Sequence, residues 1–425
     1  MRTATPTPMT AAAAACGCEE MNGLSRRGFL RSAALVGATT MIGSAVVTVA
    51  GAGAASAAGT GPTNTLVIVS LRGAADGLSL VVPHGDPAYY AARPTIAIPK
   101  TSLLNADSFF GFHPELAPLM PLWNSGSLAT VHATGLPSPN RSHFAAMEEL
   151  EDADPGSSGR TGWLNRLLGT TATTSPLEGV AIGTLVPTSL VGPEPVLSMP
   201  SLEQSLAADS SYLPGTTRTT SLNTVWGSDT TLMGEAMRAA LSTTPQVATA
   251  LAQPDHSSTY GGSDLGAALS AVARTIKADL GVTAVTVDQG DWDMHANLGT
   301  LSSGRMNGNA SDLATAIAAF FTDLGDRASN VTLVTISEFG RRVAENANAG
   351  LDHGWGNVMF VAGAGVKGGR HYGTWPGLQN TLDADLTVTT DYRSVLSEIV
   401  TKRTGASTSA VFPGFSSSPL GFISA

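Results

Sequence analysis

The segment Asp288-Gln-Gly-Asp291-Trp-Asp293-Met-His295 sets three carboxylates and an imidazole within eight residues. A carboxylate and an imidazole two or four apart in a loop can point at one ion. The bland alternative is a solvated acidic loop. The run Ser337-Glu338-Phe339-Gly340-Arg341 puts another carboxylate behind an apolar stretch. A carboxylate buried there must be paired or liganded, because burying it alone is costly. Arg341 or Arg342 offers the simple ion pair. Leu351-Asp352-His353-Gly354-Trp355-Gly356-Asn357 adds two more ligand types, and its glycines permit close backbone approach. The alternative is a tight turn with a structural histidine.

Two further segments hold chemistry-bearing groups. Arg72-Gly-Ala-Ala-Asp76-Gly77-Leu78 offers Asp76, although Asp–Gly is also ordinary turn chemistry. Pro137-Ser-Pro-Asn-Arg141-Ser142-His143-Phe144 opens a helical pattern over 144–150. Ser142 there fits a helix cap. The same place suits an attacking oxygen beside a bound anion, with Arg141 holding a phosphate or sulfate oxygen. Gly363-Ala-Gly365-Val-Lys-Gly368 fits G-x-G-x-x-G, but no helix pattern follows it, so a dinucleotide site is not supported. There is no G-x-S-x-G elbow and no H-E-x-x-H. His84, His113, His132, His256 and His371 stand apart from these clusters and read as structural or surface residues.

Strands must bring the clusters together. Short apolar runs at 65–71, 129–133, 179–183, 283–288, 331–337 and 358–363 read as strands. Between them lie helical patterns. Leu265, Leu269, Val272 and Ile276 share one face, as do Leu313, Ile317, Phe320, Phe321 and Leu324 behind an expected cap at Ser311. Residues 391–402 read as a late helix. The alternation predicts an α/β fold with a mainly parallel central sheet and helices on both faces. In such a sheet, sites form at the carboxyl ends of strands, where these clusters fall. Residues 169–262, rich in Ser, Thr and Pro, read as a loop-rich insertion or cap.

Length and charge narrow the classes. The chain has 425 residues and is 43% hydrophobic, enough for a large core and incompatible with global disorder. A net charge of −10 argues against a nucleic-acid partner. No internal repeat is apparent.

Residues 1–58 read as an address label to be removed. Ser25-Arg26-Arg27-Gly28-Phe29-Leu30-Arg31 has the twin-arginine export pattern, a weakly apolar stretch follows, and Ala55-Ser56-Ala57 offers a small-residue cleavage site. The expected mature chain, 59–425, is a single domain with no membrane span, 19 basic and 31 acidic residues and a net charge of −12. Its expected location is periplasmic, cell-envelope or extracellular. Cys16 and Cys18 leave with the leader, so a metal would have to be held by His, Asp, Glu or hydroxyl oxygen.

In combination, Leu-Arg-Gly-Ala-Ala-Asp-Gly-Leu (71–78), Asn-Arg-Ser-His-Phe (140–144), Gly-Asp-Trp-Asp-Met-His (290–295), Ser-Glu-Phe-Gly-Arg (337–341) and Asp-His-Gly-Trp-Gly-Asn (352–357) resemble a bacterial domain family of unknown function, number 1501. That family is similar to the alkaline phosphatase and sulfatase superfamily. The resemblance implies an alkaline-phosphatase-like α/β domain. It also implies a divalent-metal site of one or two ions: zinc, manganese, calcium or magnesium. It makes Asp293 or Asp291, with His295, the first ligand pair, and Glu338 the acidic ligand of a second ion. His353 would close the first site, Asp76 would be the early acidic ligand, and Ser142 the nucleophile beside Arg141; Asp352 remains a candidate ligand from its own segment. Phe339 stands where the superfamily usually has a histidine, and Asp76 lies beyond the usual ligand position. The implied activity is hydrolysis of small phosphate or sulfate esters or carbohydrate conjugates. The alternative is a non-catalytic envelope or binding protein that keeps the fold.

Overall fold

The computed structural model describes residues 38–42, 45–49, 64–155, 160–171 and 175–425. The twin-arginine run and the small-residue cleavage site lie outside the described residues. The apolar runs form an 11-stranded sheet. Its strands are β1 (Ala38–Ile42), β2 (Ala45–Val49), β3 (Thr65–Leu71), β4 (Leu128–Gly135), β5 (Gly179–Ile182), β6 (Val196–Met199), β7 (Ala284–Gln289), β8 (Val331–Ile336), β9 (Asn357–Gly363), β10 (His371–Tyr372) and β11 (Thr390–Asp391). Their order is β1-β2-β6-β5-β7-β3-β8-β9-β4-β10, with β11 also on β4.

The strands β6, β5, β7, β3 and β8 are parallel neighbours. β9 runs antiparallel to both β8 and β4, so β4 points the same way as the parallel block. The sheet is therefore mainly parallel and open. All seven residues of β3 are buried, because both faces of the sheet are covered.

The principal helices are α1 (His143–Asp152), α2 (Trp163–Leu168), α3 (Thr217–Trp226), α4 (Leu232–Leu251), α5 (Asp264–Lys277), α6 (Arg305–Leu324) and α7 (Tyr392–Thr404). Alternate residues of β3 feed two cores. Val67, Val69 and Leu71 join residues of α4, α5 and α6 on one face. Leu66 and Ile68 join residues of α1, α2 and α7 on the other. α5 is built as its sequence suggests. Ser263 caps it, Asp264 sits in the first turn, Arg274 and Lys277 in the last, and Leu265, Leu269, Val272 and Ile276 are buried. α6 begins at Arg305, so Ser311 lies inside it rather than capping it. Met306 and Ala310 are buried on the face of Leu313 and Ile317. That packing overrides weak local helix formers at 305–309.

Residues 169–262 contribute more than a cap. They supply β5 and β6 to the sheet, then α3 and α4. Both strands are four residues long and fully buried; β5 matches the run read at 179–183, and β6 is too short to give a clear period in the sequence. At the edge, β2 pairs with β6 antiparallel. Ala45 and Val47 of β2 pack in the same core as Ala236, Met237 and Ala240 of α4. A hairpin drawn from the stretch read as leader thus extends the sheet. No helix among the described residues is long and apolar enough to cross a membrane.

Candidate metal centre

Because β7, β3 and β8 are adjacent and parallel, their carboxyl ends share one rim. β7 leads to Asp293 and His295, β3 to Gly73, and β8 to Glu338 and Arg341. β4 exits at the same rim toward α1, whose first residue is His143. β9 runs the other way, so the loop before it, with His353, also reaches this rim.

Three imidazoles and one carboxylate meet there. His353 Nε2 lies 3.0 Å from His143 Nε2 and 2.9 Å from His295 Nε2. Asp293 Oδ1 lies 3.2 Å from His295 Nε2 and 3.8 Å from the Nε2 atoms of His143 and His353. Atoms held tetrahedrally at the usual 2.0–2.1 Å from a zinc ion sit about 3.3 Å apart. The separations here bracket that value.

The outer hydrogen bonds decide which ring nitrogen carries the proton. His143 Nδ1 faces Glu338 Oε1 at 2.7 Å. His295 Nδ1 faces Asp352 Oδ1 at 2.9 Å. His353 Nδ1 faces the carbonyl of Arg141 at 2.8 Å. All three partners are acceptors, so in each neutral ring Nδ1 donates and Nε2 is left with its lone pair. Three Nε2 atoms and a carboxylate therefore face one another, with the Arg341 guanidinium as the neighbouring donor, 3.5 Å from His295 Nε2 and 2.6 Å from Asp293 Oδ1. Carboxylate- or carbonyl-backed histidines are the usual supports of metal ligands. His143, Asp293 and His353 have ligand atoms that all lie within 4.8 Å of one another and could hold a metal ion, with His295 beside them; nitrogen-rich donors suit zinc or a similar transition ion better than calcium or magnesium.

The surrounding charges are consistent with that capacity. The imidazoles of His295 and His353, then Arg341, hold the Asp293 carboxyl well below the usual carboxylate range. Asp293 in turn raises His295, against the opposing effect of burial and with help from Asp352. Burial pushes Glu338 up, but its bonds to His143 and Gly73 outweigh this and leave it lowered. Arg341 is almost fully buried and donates to Asp293 Oδ1 at 2.6 Å. It also donates to the carbonyls of Gly73, Ala74 and Leu351, pinning three loops together.

The residues singled out from the sequence fall in different places. Asp293, His295 and His353 form the cluster itself. Glu338 and Asp352 stand behind it, each on the far nitrogen of a histidine. Asp291 has a left-handed φ of 66° and its side chain is 89% exposed, turned toward Arg305. Asp76 is in a separate buried pair, with its Oδ1 3.0 Å from Arg93 Nη2. Ser142 caps α1, accepting from Ala145 N–H. The Arg141 side chain pairs with Asp385, and its carbonyl is what the site uses. Phe339 packs 4.9 Å from the His143 ring and 5.0 Å from the His353 ring, filling the flank of the cluster.

His143 is the member that sequence reasoning missed. It was passed over because its neighbour Ser142 looked like the chemistry. The signal was present: a histidine directly after a capping serine, at a helix start that follows a strand end. Of the histidines set apart, His113 is brought to about 4 by burial, and His132 and His371 pack with Phe110.

A cleft of about 840 Å³ adjoins the cluster and includes His143, Asp293 and Glu338 in its wall. A search of the curated proteins finds no match. All four residues of the cluster fall within 109–400, the stretch matched by the model of a family described as protein of unknown function, DUF1501, and the chain belongs to that family.

Proposed function

We propose that this protein is an exported, metal-dependent hydrolase of phosphate or sulfate esters, with one divalent ion held by His143, Asp293, His295 and His353. The observation that supports this most is the set of three Nδ1 atoms turned outward onto the acceptors Glu338, Asp352 and the Arg141 carbonyl, with the Nε2 atoms turned toward one another and Asp293. Zinc or manganese fits these donors. A divalent ion there would lower the pKa of a bound water and offset charge developing on the ester oxygens. The chain's own residues fix the geometry. Glu338 and Asp352 orient two rings, and Arg341 keeps Asp293 ionised and in place. The phenyl ring of Phe339 occupies the flank where a second ion's ligand is usual, which favours a single ion.

The attacking oxygen is assigned to water rather than Ser142, which caps α1 and does not line the cleft. The ester class rests on the resemblance to the alkaline phosphatase and sulfatase superfamily, with which the mainly parallel α/β sheet agrees. The export reading rests on Arg26-Arg27 and the small residues at 55–57.

The test is elemental analysis of the purified full chain and of His353→Ala, with turnover of p-nitrophenyl phosphate and p-nitrophenyl sulfate. About one equivalent of metal that disappears in the variant, together with turnover, is the expected result. Metal content that is absent or unchanged in the variant would overturn the reading. A second reading, a binding protein that keeps the fold, is favoured by one observation. Arg141 and Arg72 are both committed to carboxylates, so neither is free to clamp an ester anion. Bound metal without turnover on either ester would favour it.

A further inference from the structure

The cleft beside the metal cluster has a mixed lining. Phe144, Met147, Ile182, Leu185 and Val186 give it an apolar wall. Phe144 is 59% and Leu185 78% exposed, and these are two of the six large apolar side chains exposed among the described residues. Phe144 follows the cluster residue His143 directly, so the apolar wall begins at the reactive centre. A contiguous exposed apolar surface beside a polar centre is the usual mark of a ligand site.

Carboxylates are set into the same lining: Glu148 and Glu151 share the α1 face of Phe144 and Met147, and Asp288 and Asp291 lie at and just beyond the end of β7. The only Lys or Arg among the described lining residues is Arg72. Its guanidinium is taken up by Glu151 at 2.7 Å and Asp288 at 3.0 Å. Asp291 meets only Arg305, at 3.9 Å. A second negative charge on a ligand therefore finds no free cation along this cleft and meets carboxylates instead.

Resting on the hydrolase reading above, we propose that the site takes esters whose leaving arm is an apolar alkyl or aryl group without negative charge. The arm lies along Phe144, Met147, Ile182, Leu185 and Val186, while the anionic head meets the metal cluster. Sugar phosphates with further phosphate groups, and polyanions in general, are disfavoured by the carboxylates set among these apolar side chains.

The test uses the metal-loaded full chain and n-alkylphosphonates, whose P–C bond resists hydrolysis, with calorimetric binding and metal content read on the same samples. Affinity is expected to rise about fourfold for each methylene that reaches the apolar wall, from methyl through butyl to octyl. An eight-carbon phosphonate ending in a carboxylate should bind about tenfold or more weakly than octylphosphonate. Leu185→Asp, at an exposed loop position that the fold tolerates, should collapse the octyl-to-methyl ratio toward one while metal content stays constant. Phe144→Ala provides a second variant with the same expected direction. Metal present with a flat chain-length series, or no discrimination against the carboxylate-tipped arm, overturns this inference and leaves the hydrolase reading standing. Absent metal overturns that reading and the inference with it.

Discussion

Replacing Glu338 by glutamine separates two roles for this carboxylate. As a ligand of a second ion, it would control metal stoichiometry. As the support of His143, it controls affinity at a single ion. Its geometry makes the second role specific. Oε1 accepts from His143 Nδ1 at 2.7 Å and from the Gly73 N–H at 2.8 Å, and Oε2 lies 3.1 Å from Ser337 Oγ. In Glu338→Gln the amide oxygen keeps the first two bonds. The new NH2 group donates to Ser337 Oγ, whose own proton still goes to the Leu71 carbonyl at 2.8 Å. One of the two new N–H donors is paired and the other is left without an acceptor, at a cost of about 1–3 kcal/mol that the fold should survive. What is lost is the negative charge behind His143, which orients its ring.

Loss of such a support weakens metal binding by about 10- to 100-fold, or about 1.4–2.7 kcal/mol. The measurement is a competitive titration against a chelator, with metal content at saturation and thermal unfolding of the metal-free protein. One equivalent at saturation in both proteins, with weaker affinity in the variant, is expected. A drop from two equivalents to one would make Glu338 a ligand and refute the single-ion geometry. An affinity unchanged within about twofold would refute the support role.

Three further outcomes follow from the same geometry. Asp76→Asn removes one charge of a fully buried pair and leaves Arg93 uncompensated, which costs about 3–5 kcal/mol in chemical denaturation; metal content should not change, and its loss would tie Asp76 to the site. Gly73 has a φ of +105°, and a Cβ there would come within 2.6 Å of the Asp293 nitrogen, so Gly73→Ala should displace the 292–293 backbone and abolish metal retention; full retention would show the loop to be pliable. The third outcome concerns pH. In the metal-free protein Asp293, with Asp352, raises His295 above its ordinary 6.5, so stabilisation by the charged ring is complete below about 6.5 and fades as pH rises through the folded value. Metal needs the neutral ring, so its affinity instead falls as pH drops through that value. Melting curves of the two forms should diverge as pH rises above 6.5, and parallel curves would argue that His295 does not bind the ion.

Much of this fold is written in apolar runs that the sequence displays openly. β3, β7 and β8 were legible because buried parallel strands are nearly continuous in Val, Ile and Leu, and their rim was legible because every cluster of Asp, Glu and His followed such a run. β5 was legible as the run at 179–183, but β6 was not, because four buried residues carry no period. The pairing of β2 with β6 was invisible, since it joins segments about 150 residues apart through backbone bonds that leave no mark on side-chain type.

Within the site, sequence could supply the donors but not their order. Glu338 and Asp293 both follow parallel strands, and both are acidic beside an arginine or histidine. Only the fold separates them. Glu338 is 2% exposed and meets the back of His143, whereas Asp293 turns its Oδ1 toward the faces of three rings. Asp76 shows the same limit from the other side. An Asp–Gly after the first strand matches a ligand position, yet Arg93, 17 residues onward, captures it. A carboxylate's partner is chosen by what the chain folds against it. The outward bond of each histidine is therefore the more diagnostic feature of this centre, because it states which nitrogen is left free and where that nitrogen points.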